Sequence, residues 1–163
     1  MTIKKCSVCF TEQPEENFEK VNHKKGGFTR SYCRSCQQIK SNESKSKTPE
    51  MYLKNTYNQL KSKRKDSAYE WNLEVEHLYA LWNKQHGRCA LSGHNMTWHR
   101  GSGKTFYNAS LDRKNPDLGY TPDNIQLVCT IVNMMKQSLS DVDFIWWCKS
   151  ITENTEKFID NNI

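Results

Sequence analysis

The chain has no run of eighteen apolar residues, which excludes a transmembrane helix of ordinary length. Met1 to Lys5 lead into Cys6 and polar sequence rather than an apolar stretch, so no secretory signal peptide is expected, and the cytoplasm is the expected compartment. Hydrophobic residues are only 36% of the 163 positions, little for one large core but enough for one compact domain or two small ones. Aromatic residues are plentiful enough that the chain does not read as disordered. There is no internal repeat. A disulfide framework is also disfavoured. The seven cysteines (Cys6, Cys9, Cys33, Cys36, Cys89, Cys129 and Cys148) are odd in number and come without an export signal, so metal binding is the better default.

Charge is present but unevenly spread. Residues 1–70 carry 15 Lys+Arg against 8 Asp+Glu, and residues 71–163 carry 9 against 10. A basic first half points to a polyanionic partner, nucleic acid ahead of membrane.

Three regions follow from the pattern: residues 1–45, dominated by two C-x-x-C pairs; a helical connecting region, 46–88; and a third region, 89–163. The segment Ser41 to Thr48 is polar and low in complexity, and reads as a linker or a fraying helix end. Thr48-Pro49-Glu50 looks like a helix start, with Thr48 as N-cap and proline in the first turn. Leu53, Tyr57 and Leu60 share one face of that helix, and Lys54, Asn58, Lys61 and Lys65 a neighbouring stripe. Val75, Leu78, Tyr79 and Trp82 mark a second amphipathic helix, with Gly87 as its stop. A hairpin or loop is expected at Gly101-Ser102-Gly103, a strand over 106–111, a turn-rich stretch over 114–123 and a short strand over 125–128. The segment 129–137 then reads as a helix with Val132 and Met135 turned inward. Ser140, followed three residues on by Asp143, opens a last helix. Its apolar side would carry Phe144, Trp147, Cys148, Ile151, Phe158 and Ile159.

Cys6-x-x-Cys9 and Cys33-x-x-Cys36 are 23 residues apart. A C-x-x-C turn presents two thiolates to one ion, and two such turns complete the tetrahedral shell of zinc. With no open position the ion is structural, and it would supply the folding free energy of a segment too short to bury a core. Lys20, Lys24, Lys25, Arg30 and Arg34 lie between or beside these ligands and could bring the knuckle to phosphate. His23 is left out, since four cysteines already satisfy zinc.

The segment from Cys89 to Lys136 carries, in order, Cys89-Ala-Leu-Ser-Gly93, Ser110-Leu-Asp-Arg113, Gly119-Tyr-Thr-Pro-Asp-Asn124, Ile125-Gln-Leu-Val-Cys129 and Asn133-Met-Met-Lys136. This resembles the HNH (ββα-metal) endonuclease superfamily over about fifty residues. More loosely, the N-terminal knuckle resembles those of phage recombination endonucleases and some rare-cutting restriction enzymes. The resemblance implies an α+β, mostly helical fold: an N-terminal four-cysteine zinc knuckle, a basic connecting helix and a ββα-metal core closed by a C-terminal helix. It also implies phosphodiester hydrolysis with one Mg2+ or Mn2+ ion, held at the positions matching Asp112 and Asn133. Asn124 matches the middle asparagine of the family name, which holds the loop between the strands by hydrogen bonds. The chemistry accounts for the residue types, because a hard divalent ion takes oxygen ligands and stabilises charge on the phosphate and on the leaving oxygen.

Two departures stand out. Where the family commonly has a water-activating histidine, this chain has Arg113, which stays protonated and suits a phosphate clamp rather than a base. His99 and Tyr107 rank first as the base, ahead of His86, His94 and Tyr120. The second departure is that Cys89 and Cys129 each lack a pairing cysteine. No second zinc is expected; both would be buried thiols near each other, and Cys148 a core residue.

The implied partner is DNA, contacted by Lys24, Lys25, Arg30, Arg34, Lys54, Lys61 and Lys65, with no membrane partner. A two-fold homodimer would let one small subunit cut both strands of a palindrome. Two other function classes compete. One is a non-catalytic, zinc-containing DNA-binding protein on the same scaffold, for which Arg113 speaks. The other is a zinc-dependent protein-interaction module, which leaves the Asp112, Asn124 and Asn133 order unexplained. A phage or mobile-element origin is the expectation from size and resemblance.

Overall fold

The computed structural model describes residues 2–22, 26–101 and 105–162, with side chains to residue 155. The fold is α+β and mostly helical, and it divides into two compact units: Met1–Lys47 with His99–Ser102, and Thr48–Trp98 with Gly103–Ile163. No helix is long and apolar enough, among the described residues, to cross a membrane.

The first unit is built from short antiparallel pairs. Strands β1 (Ile3–Lys5) and β2 (Glu12–Pro14) form one ribbon, β3 (Phe18–Val21) and β4 (Phe28–Cys33) another, and helix α1 (Arg34–Lys45) follows. The polar stretch after Ser41 continues α1 as far as Lys45. The core is very small: Cys6, Phe18, Cys33 and Cys36, with Tyr32 against it. One phenylalanine, three cysteines and a part-buried tyrosine cannot offset the conformational entropy of ordering some forty residues.

The second unit has a core of its own. Helix α2 (Pro49–Lys63) begins as expected, with the Thr48 hydroxyl accepting from the Met51 N–H at 3.3 Å. Its Leu53 and Tyr57 are buried, and the Tyr52 and Tyr57 hydroxyls donate to the carbonyls of Ala109 and Leu73. Helix α3 (Val75–Lys84) ends in a left-handed turn that starts at His86 (φ 52°), one residue before Gly87 (φ 67°). Strands β5 (Ala109–Arg113) and β6 (Ile125–Cys129) pair antiparallel, with Ser110 opposite Val128 and Asp112 opposite Gln126. The first of these strands begins later than the sequence pattern suggests. Phe106 and Tyr107 are exposed in a turn whose carbonyl at Tyr107 accepts from the Thr97 N–H.

Helix α4 (Thr130–Lys136) follows β6 directly. Its first free N–H groups, on Thr130 and Ile131, donate to the carbonyls of Asn108 and Phe106, which satisfies the helix start. Val132 turns inward, but Met135 is 58% exposed; the position facing inward is Lys136. Polar contacts to β5, rather than apolar burial, set the rotation of this seven-residue helix. Helix α5 (Asp141–Asn162) opens at Ser140, whose hydroxyl accepts from the Asp143 N–H and donates to its carboxylate. Of its expected apolar side, Phe144 is buried and Cys148 half-buried, whereas Trp147 and Ile151 are exposed; the side chains of Phe158 and Ile159 lie outside those described.

Gly119 is required by a close approach. A Cβ there would sit 2.5 Å from the Glu70 carbonyl oxygen, and the Tyr120 N–H donates to that same oxygen. Gly119→Ala is expected to destabilise the protein by about 1–3 kcal/mol, the usual cost of overpacking a fixed contact. Urea unfolding followed by tryptophan fluorescence measures it; an unchanged midpoint would show that the loop yields freely.

Candidate active site and metal centre

In the first unit, Cys6 and Cys9 lie in the turn between β1 and β2. Cys33 ends β4, and Cys36 lies in the first turn of α1. The four sulfurs all lie within 4.8 Å of one another. The Cys6 and Cys36 sulfurs are 3.8 Å apart. A tetrahedral ion with metal–sulfur bonds of about 2.3 Å requires sulfurs about 3.8 Å apart, so the donor set fits such an ion. Backbone N–H groups of Val8 and Cys33 donate to the Cys6 sulfur at 3.4 and 3.3 Å. Burial pushes the Cys6 thiol up, but the backbone N–H groups of Cys9, Cys33 and Val8 outweigh it and draw the thiol down. Burial and the three neighbouring sulfurs push Cys36 up.

Of the basic residues expected near the knuckle, Arg34 is exposed, and Lys24 and Lys25 lie outside the described residues, as does His23. Arg30 is engaged: its guanidinium meets Glu19 at 2.5 Å and the Tyr32 hydroxyl at 2.8 Å. In the second unit Lys54 and Lys65 are exposed, Lys65 lying beyond the end of α2. Lys61 donates to the Tyr57 hydroxyl at 3.0 Å.

The second unit carries the other candidate residues on β5, β6, α4 and the loop between the strands. Side chains alternate along β5, so Ser110 and Asp112 share one face and Arg113 takes the other. Helix α4 lies over the first face. One Asn133 N–H group donates to Ser110 Oγ at 2.8 Å, and the Leu111 carbonyl accepts from the same nitrogen at 3.2 Å. One turn on, the Lys136 ammonium reaches Asp112. The Asn133 amide nitrogen is thus spent inside the protein, and its oxygen is the atom left for a ligand. Asn133 also lines a cleft of about 390 Å3 with Ser110, Thr130, Met134, Gln137 and Ser138.

Asp112 is 5% exposed, and its carboxylate accepts from Gln126 Nε2 at 2.9 Å as well as from Lys136. Gln126 lies directly across the hairpin, which is why it meets this carboxylate. On the opposite face the Arg113 guanidinium stacks on the Tyr69 ring at 4.2 Å and lies 5.1 Å from that of Tyr120. One of its nitrogens donates to the Leu118 carbonyl at 2.9 Å. Asn124 is buried at the base of the loop. It donates to the carbonyls of Asn115 and Gly119 and accepts from the Asn115 N–H, closing the loop onto itself.

Tyr107 is 52% exposed, with the His94 ring edge-on to it at 5.9 Å. His86 is exposed at the end of α3, and Tyr120 is buried. His99 is exposed and belongs to the first unit. Cys89 and Cys129 are buried, free thiols in contact. Burial raises Cys89, but the side chain and N–H of Ser92 and the N–H groups of Cys129 and Leu91 outweigh it, leaving Cys89 lowered. Burial beside Cys89 pushes Cys129 up to about 11.

No family model matches the chain, and no curated protein is significantly similar to it. Among solved structures it is similar to the rare-cutting HNH restriction endonuclease PacI, at 16% identity over 93% of this chain and 94% of that one, with a TM-score of 0.46.

Proposed function

We propose that this chain is a metal-dependent DNA endonuclease that hydrolyses phosphodiester bonds, nicking or making double-strand breaks. One observation carries the reading. A buried carboxylate on β5 and a carboxamide on α4 are set on one side of a two-strand hairpin, while an arginine at the end of the same strand faces the other side. Asp112 and the Asn133 oxygen would hold one Mg2+ or Mn2+, and both are hard oxygen donors of the kind such ions take. The ion's contribution when bound is Lewis-acid stabilisation of charge on the phosphate and the leaving 3′ oxygen. Arg113, expected from the sequence to clamp the scissile phosphate, faces the other side of the hairpin over Tyr69, where its remaining N–H groups would meet a different backbone phosphate. Asn124 keeps the loop closed, so Asp112 and Gln126 stay opposite each other. Arginine cannot take the proton, so Tyr107 or His99 would serve as the base unless the water is activated mainly by the metal and the substrate phosphate. The Cys6, Cys9, Cys33 and Cys36 cluster would hold one structural zinc. Arg34, Lys54 and Lys65, with Lys24, Lys25, Arg30 and Lys61, would meet the DNA backbone, and a homodimer would place two such sites on a palindrome.

A second reading has its own support. The Lys136 ammonium already sits on Asp112, which suits a scaffold that binds DNA without cutting it. Supercoiled plasmid incubated with the zinc-loaded protein separates the two. Relaxation that requires Mg2+ or Mn2+ supports the nuclease. Salt-sensitive DNA binding without relaxation under either metal supports the non-catalytic protein, since counterion release makes backbone contacts fall steeply with salt.

A further inference from the structure

The groups around Asp112 form a buried charged cluster that the proposed chemistry does not use. The Lys136 side chain is 1% exposed, and its ammonium lies 3.1 Å from one Asp112 oxygen and 3.3 Å from an Asp141 oxygen. It also lies 3.2 Å from the other Asp112 oxygen and donates to the Arg113 carbonyl at 2.6 Å. Gln126 Nε2 divides its two hydrogens between the same carboxylates, at 2.9 Å to each. Asp141 is held in place because its backbone N–H donates to the Lys114 carbonyl at 3.0 Å. Two carboxylates therefore share one ammonium.

The charges do not balance. Two carboxylates and one ammonium leave a surplus of one negative charge, with Asp112 and Lys136 buried and Asp141 part-exposed, and a further cation would be attracted to it. A divalent ion overshoots by one, and a phosphodiester anion beside it restores neutrality.

We propose that Lys136 is a resident counter-ion, holding the Asp112 carboxylate until a divalent cation takes it, and that Asp141 is the carboxylate that retains the ammonium during the exchange. This rests on the reading of Asp112 as a metal ligand. The exchange needs no movement of α4, because the ammonium already touches both carboxylates and its four-carbon stem is flexible. Lys136 and Asp141 are positioning residues here: they act on the ion through Asp112.

The test is Mn2+ affinity of the zinc-loaded full chain without DNA, read from the electron paramagnetic resonance signal of free Mn2+. Lys136→Gln removes the competing cation and is expected to tighten Mn2+ binding roughly tenfold or more, given the strength of a like charge a few ångströms away. Asp141→Asn leaves the ammonium wholly on Asp112 and is expected to weaken it by about the same factor. Lys136→Arg keeps the charge and should stay closer to wild type than Lys136→Gln. A merely structural role would move both neutralising variants in the same direction. Lys136→Gln binding Mn2+ no more tightly than wild type overturns the inference. If Lys136→Gln fails to fold, Asp141→Asn decides alone, because its site is part-exposed and asparagine preserves the shape; unchanged affinity there overturns it too. Asp112→Asn separates the two levels. Undiminished Mn2+ binding in that variant removes Asp112 as a ligand, and the exchange falls with it. Loss of binding there, with the opposed shifts missing in the other two, removes the exchange alone.

Discussion

Chelating the metal from the four-cysteine cluster is expected to unfold the first unit and leave the second folded. The first unit buries one phenylalanine besides its cysteines, so thiolate–metal bonds would have to carry its stability; structural zinc in such modules contributes roughly 10–16 kcal/mol of apparent binding free energy at neutral pH. The second unit has its own core, including Leu53, Leu78, Ile125, Leu127 and Val128. The readouts separate cleanly. All five tryptophans (Trp71, Trp82, Trp98, Trp146 and Trp147) belong to the second unit, whereas α1 belongs to the first. A strong chelator should therefore lower the helical circular dichroism and open residues 2–47 to protease, with tryptophan emission nearly unchanged. Cys33→Ser should behave like the chelated protein. Full retention of the dichroism after verified metal removal would show that the first unit holds itself together by other means.

Asp112→Asn is expected to reduce metal-dependent cleavage about a thousand-fold, while DNA affinity changes by less than about threefold. The factor follows from charge stabilisation worth several kcal/mol at the metal, with each 1.36 kcal/mol a factor of ten. Asparagine is the informative choice because Asp112 is buried and paired. It preserves volume and can still accept from Gln126, and the Lys136 ammonium keeps Asp141 and the Arg113 carbonyl as partners. Alanine would add a cavity, and lost folding would then mimic lost chemistry. Plasmid relaxation rates beside salt-controlled binding isotherms measure both quantities. A loss smaller than tenfold would remove Asp112 from the chemistry.

These expectations depend on features of unequal visibility in the sequence. The two C-x-x-C pairs were legible because each places its ligands within one local turn, and the sulfurs of all four do cluster. The helix starts at Thr48 and Ser140 were legible for the same reason: an N-cap bonds to residues three positions away. The core faces of α2 and α3 followed from their periodicity, although α3 turns at His86 before its glycine. What escaped was tertiary. A lysine is rarely buried, yet Lys136 at the end of α4 is wholly buried. Its partners Gln126 and Asp141 lie in β6 and α5, so no local spacing joins them to Asp112. The same holds for Tyr69, whose role under Arg113 depends on a loop contact. Met135 is exposed, against the expectation from its apolar character, because two polar side chains, Asn133 and Lys136, orient the helix. The candidate residues Asp112, Asn124 and Asn133 stand out through an ordered motif, but what surrounds them does not.

Helix α5 has a consequence for handling the protein. Val142, Ile145, Trp146, Trp147 and Ile151 leave much apolar area in water, beside a cavity of about 650 Å3 lined by Leu91, Val132, Met135, Phe144, Ile145 and Cys148. Added salt acts on this helix and on the basic residues in opposite senses. It weakens attraction to phosphate by screening and counterion competition, while sulfate strengthens apolar adhesion by being excluded from the surface. A sulfate buffer would thus favour adhesion through the exposed face of this helix. Chloride, which screens charge without that exclusion, leaves the apolar helix less adhesive.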